Sequence, residues 1–127
     1  MNTNTLATID LLSTARSVLI DEVLPELKGA RLYECRMIAR AMAIVERELE
    51  QGPALASIEA NALAQIMARH GLAEITPAHA RSLLASFIRK GVFDEADNAQ
   101  LQMLDALQRI TQARLAISNP KVLRDGH

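Results

Sequence analysis

Five arginines, Arg16, Arg36, Arg40, Arg47 and Arg114, are the residues whose type and placement could do chemistry. At about 100° per residue, Arg36, Arg40 and Arg47 fall within roughly 40° of one another on a helix, with Ala43 beside them. A row of guanidiniums can hold a phosphate, a carboxylate or an acidic protein surface. The plainer reading is a solvated face that Glu46, Glu48 and Glu50 neutralise locally, and it is preferred because helix surfaces normally carry charge. Arg16 and Arg114 are odder. Each projects from the apolar side of its helix, where a guanidinium must be paired or must snorkel to water. For Arg16 an internal ion pair, or a stem laid over the core, is preferred to a ligand contact. The alternative joins Arg16, Arg36 and Arg114 into one anion-holding cluster, which would make the protein a small-ligand binder or a minor enzyme.

Other chemistry is missing from the sequence. It has neither common type of glycine-rich phosphate loop and no Gly-x-Ser-x-Gly elbow. Cys35 is the only cysteine, so no internal disulfide or cysteine-based zinc site can form. It falls on an apolar strip and reads as a small core residue. His70, His79 and His127 include no i,i+4 pair, and no Glu-x-x-His motif of the di-iron bundles occurs. His70 ends a helix, where a positive charge is welcome, so a structural role is sufficient for it. Asp21-Glu22 and Asp94-Glu95 are neighbours in sequence and do not form a convergent acid–base pair. The expectation is therefore no catalytic residue, no metal, no cofactor and a non-enzymatic protein.

Composition sets the class. A chain of 127 residues that is 50% hydrophobic and 2% aromatic, with a formal net charge of −1, reads as one domain with a real core. Ala, Leu, Glu, Gln and Arg abound, and alternating β-branched runs are absent, which favours helices. The near-zero charge gives no support for nucleic-acid binding. No run approaches 18 uninterrupted apolar residues, so no membrane span is expected. The start, Met-Asn-Thr-Asn-Thr, has no basic stretch followed by an apolar core. With the single cysteine, this predicts a cytoplasmic protein.

The elements that must carry these residues read as five helices in an up-and-down bundle, over residues 1–127, with loose ends at about 1–5 and 121–127. Thr5 or Thr8 caps the first helix, which Pro25 ends or kinks at Leu24. The second and strongest runs from Arg31 to Leu49 between Gly29 and Gly52-Pro53. Val45, Ile38, Leu49, Met42 and Cys35 share one of its faces. Tyr33, Ile44 and Met37 form a second apolar strip, with Ala41 between the two, which predicts an inner helix touching at least two others. A third helix spans about Ile58 to His70 and closes at Gly71, with Ser57 as its cap. Thr76-Pro77 starts a fourth that runs to Arg89, before Gly91. A fifth runs from Asn98 to Ile117 and ends at Ser118-Asn119-Pro120. Leu63 to Phe93 also admits a helix-turn-helix reading for DNA. It ranks last, because the link from Gly71 to Thr76 is longer than the usual turn and the basic excess is modest.

Three segments resemble a small bacterial family of unknown function. They are Leu32-Tyr-Glu-Cys-Arg-Met-Ile-Ala-Arg-Ala-Met-Ala-Ile-Val-Glu-Arg-Glu-Leu49, Ala15-Arg16 to Val23-Leu24-Pro25, and Ala113-Arg114-Leu115-Ala116-Ile117-Ser118-Asn119-Pro120. Family members often carry a His before the Arg at the place of Arg36, where this chain has Cys35. The resemblance implies a short all-helical protein encoded near, or fused to, phosphotransferases similar to aminoglycoside and choline kinases, and near acyl-CoA dehydrogenases. It further implies an accessory role beside such a partner and supplies no catalytic residue. Apolar faces wider than one neighbour needs are also compatible with a homodimer.

Overall fold

The computed structural model describes residues 2–125. They form five α-helices and no strand: α1 (Thr3–Val18), α2 (Gly29–Arg69), α3 (Pro77–Arg89), α4 (Asn98–Ser118) and the short α5 (Pro120–Asp125). The protein is all-α, as composition predicts. Among the described residues no helix is long and apolar enough to cross a membrane. The chain groups into two compact units. One comprises the residues up to Pro53 with Ile117–Pro120, the other Ala54–Ala116 and the residues from Lys121 on.

In the first unit, α1 starts earlier than the sequence predicts. Asn2, not Thr5 or Thr8, is the cap. Its carboxamide oxygen accepts from the Thr5 backbone N–H at 2.8 Å and from the Thr5 hydroxyl at 2.9 Å. This satisfies a donor that the first turn leaves open. The Thr8 hydroxyl instead donates to the Asn4 carbonyl at 2.8 Å. Residues 3–5 are thus helical rather than loose, while Met1 lies outside the described residues. After Val18 the chain widens into a π-helical turn (Leu19–Val23), then tightens into a 3₁₀ turn (Leu24–Glu26) that contains Pro25. Proline supplies no N–H to continue an α-helical ladder, so helical geometry changes type here and then stops at Leu27. Gly29, at φ +65°, admits the left-handed backbone from which α2 departs.

The expected break at Gly52-Pro53 is overturned. α2 runs through Pro53 as one helix of 41 residues, joining what reads in sequence as a second and a third helix. Ser57 is accordingly an interior residue and not a cap. Proline's ring collides with the residue before it largely through that residue's Cβ, and Gly52 has none. The helix still loses the hydrogen bond that residue 53 would donate to Leu49.

The second unit holds the main core. Ala62, Leu63, Ile66 and Met67 of α2 meet Ala80 and Leu84 of α3 and Met103, Ala106 and Ile110 of α4, with Phe93 from the α3–α4 link. Leu63 and Met67 are the largest fully buried side chains. α2 and α3 end alike, on Gly71 at φ +74° and Gly91 at φ +82°. In each, the glycine N–H and the next N–H reach back to the last turn, Leu72 to Met67 and Val92 to Phe87, both at 3.0 Å. This left-handed cap satisfies carbonyls that a helix end otherwise leaves open. The His70 ring lies 4.9 Å from that of Phe87 and edge-on to Phe93 at 5.7 Å. Thr76 caps α3 as expected, its hydroxyl accepting from the His79 N–H at 3.2 Å. The Asp97 carboxylate accepts from the Gln100 N–H at the start of α4. The C-terminal stretch expected to be loose forms α5 as far as Asp125, opened by Pro120 at its first position. Gly126 and His127 lie outside the described residues.

Candidate interaction surface and the arginine pairs

The sequence spacing makes α2 an inner helix in its first half. The structure does not. One side is covered, where Ala39 and Glu46 are buried and Cys35, Met42 and Leu49 are half-buried. The other side is open: Tyr33 is 67% exposed, Met37 56%, Ile38 52% and Val45 48%. Both apolar strips are therefore partly open: Ile38 and Val45 of the first and Tyr33 and Met37 of the second are exposed, while Cys35, Met42, Leu49 and Ile44 are half-buried. The open side carries a shallow groove of about 570 Å³, lined by Tyr33, Arg36, Met37, Arg40, Ala41 and Ile44.

The five arginines separate into different roles. Arg16 of α1 clasps Glu46 of α2, Nε to Oε1 at 2.7 Å and Nη2 to Oε2 at 3.2 Å. Glu46, expected to neutralise the arginine row from the surface, is buried instead. Hydrogen bonding to Glu46, helped by attraction to the same carboxylate, holds the Arg16 pKa above the ordinary arginine value, against the opposite pull of burial. This is the internal ion pair that the sequence prefers for Arg16. Arg47 donates from Nε to the Ile117 carbonyl at 2.6 Å, near the carboxyl end of α4 where a cation suits the helix dipole. Arg114 of α4 pairs with Glu59 of α2, and Arg81 of α3 reaches the same carboxylate at 3.2 Å. Arg16 and Arg36 belong to the first unit and Arg114 to the second, and Arg16 and Arg114 are each engaged with a carboxylate of its own unit.

Arg36 and Arg40 are left on the groove, both exposed. Among the described residues neither makes a hydrogen bond or an ion pair. They stand one turn apart along the edge of the apolar strip, about 6 Å at 1.5 Å per residue. Sequence periodicity finds this row but not its separation from Arg47. Two participants escape it altogether, Glu59 and Arg81, because their pairing depends on how three helices meet. Nothing in the local spacing of either marks it out.

A second apolar cleft, of about 420 Å³, lies in the other unit between the end of α2 and the chain from Leu72 to Ala80. Its only charged lining residue is Glu74. Among the described residues no group of three or more His, Cys, Asp or Glu side chains is placed to hold a metal ion.

Residues 25–122 match the family described as Domain of unknown function (DUF6285), and the chain belongs to that family. No curated protein and no solved structure matches it.

Proposed function

We propose that this protein is a non-enzymatic interaction module that holds a partner protein on the open strip of α2. The exposed Tyr33 and Met37 beside Arg36 and Arg40 on the groove carry this reading, and Ile38 and Val45 extend the exposed apolar surface farther round the helix. Full side-chain areas of such residues, scaled by their exposures, leave roughly 400 Å² of apolar surface in water, within the range where a monomer's largest patch is often functional. The resemblance supplies the partner class, a phosphotransferase-like or acyl-CoA dehydrogenase-like protein. The test compares wild type with Met37→Asp, a change at an exposed position that should leave the fold intact. Tagged protein is recovered from the native cell, its companions are identified by mass spectrometry, and the principal one is purified and recombined. The reading expects a stoichiometric protein of one of those two classes that rebinds wild type on size-exclusion chromatography and fails to bind Met37→Asp. The same companions on both baits would refute it.

A further inference from the structure

We infer that the occupant of the α2 strip is an amphipathic helix whose apolar side is flanked by acidic side chains one turn apart; this rests on the interaction reading above. The dimensions fit a helix. From Tyr33 to Ile44 the groove spans eleven residue steps, about 16 Å or three turns, which matches a partner segment of about 12–15 residues. Ala41, between Met37 and Ile44 in the chain, lines the groove. A methyl side chain there lets a second helix approach closely, toward the usual interaxial distance of about 8–10 Å.

The charges fit an acidic flank. Arg31 is paired with Glu34 at 2.8 Å within its own helix, and Arg16 and Arg47 are engaged inside the unit. Arg36 and Arg40 are the guanidiniums of this helix that face the groove with no partner among the described residues. Carboxylates at positions i and i+4 of a docked helix would have their pitch, and guanidinium–carboxylate pairs are strong and directional. Size disfavours a second copy of the chain. Roughly 400 Å² is about half of what each partner buries in a standard interface.

The test uses two synthetic helical peptides of about 15 residues with one apolar side in common, one flanked by Glu and the other by Lys. Each is fluorescein-labelled and titrated with the full-length protein by anisotropy at ~50 mM and ~500 mM salt. The Glu-flanked peptide should bind at least about tenfold more tightly at low salt, with the preference narrowing at high salt. Arg36→Glu/Arg40→Glu should reverse the preference. Ala41→Arg should abolish binding of both peptides while leaving the thermal melt unchanged. Equal affinity for the two peptides, no binding of the Glu-flanked one, or indifference to Ala41→Arg would overturn the inference. So would a dimer by light scattering that Ala41→Arg dissolves, since the occupant would then be a second copy. A native partner that is lost by Met37→Asp but held unchanged by Arg36→Glu/Arg40→Glu would leave the interaction reading standing and remove the acidic helix. Retention by Met37→Asp would remove both.

Discussion

Replacing Arg16 by Met tests the tie between α1 and α2. Arg16 reaches both Glu46 oxygens, at 2.7 and 3.2 Å, and the Glu46 side chain is only 11% exposed. Met keeps the length and apolar stem of arginine but removes the guanidinium. A carboxylate is then left in a half-dry site with no counter-charge. Breaking a buried pair in this way costs about 3–5 kcal/mol. The Arg16 side chain retains 29% exposure, so water already screens part of the attraction, and the expected loss is about 2–3 kcal/mol. With an unfolding entropy near 2.1 cal/mol/K per residue, that lowers Tm by about 8–11 °C in a chain of this length. Urea and thermal unfolding followed by circular dichroism measure it. The double change Arg16→Met/Glu46→Leu removes both charges together and should recover most of the loss, to within about 1 kcal/mol of wild type. An Arg16→Met protein as stable as wild type would refute the tie. A double variant as unstable as the sum of the two single changes would refute the pairing energetics.

Two further outcomes check the fold. Pro53→Ala should stabilise, by up to about 3 kcal/mol, because it restores an N–H inside α2 and replaces a poor helix residue with the best one; a lower denaturation midpoint would show that the chain needs the proline geometry. Leu63→Ala, at a side chain 2% exposed in the main core, should cost about 2–5 kcal/mol in urea unfolding, whereas a loss under about 1 kcal/mol would mean that the second unit does not pack around it.

What was legible in the sequence was local. Thr76-Pro77, Asn98 and Ser118-Asn119-Pro120 mark helix limits that the structure keeps, because caps and prolines act on backbone groups within a turn of themselves. The buried faces of the second unit were legible too: Ala62, Leu63, Ile66 and Met67 recur at helical spacing and are buried together. The arginines of the candidate surface were visible as a row on one helix face.

Tertiary structure decided the rest. Proline carries a strong tendency to end a helix, yet α2 continues through residue 53, where Gly52 presents no Cβ to the proline ring. Periodicity says which side chains share a face but not what lies opposite, so Tyr33 and Met37 read as buried when they are exposed. Pairing was equally out of reach. Arg16 and Glu46 are 30 residues apart, and Arg114 and Glu59 are 55 apart. Charge attraction acts through space, and only the packed helices establish which guanidinium meets a carboxylate and which is left facing outward.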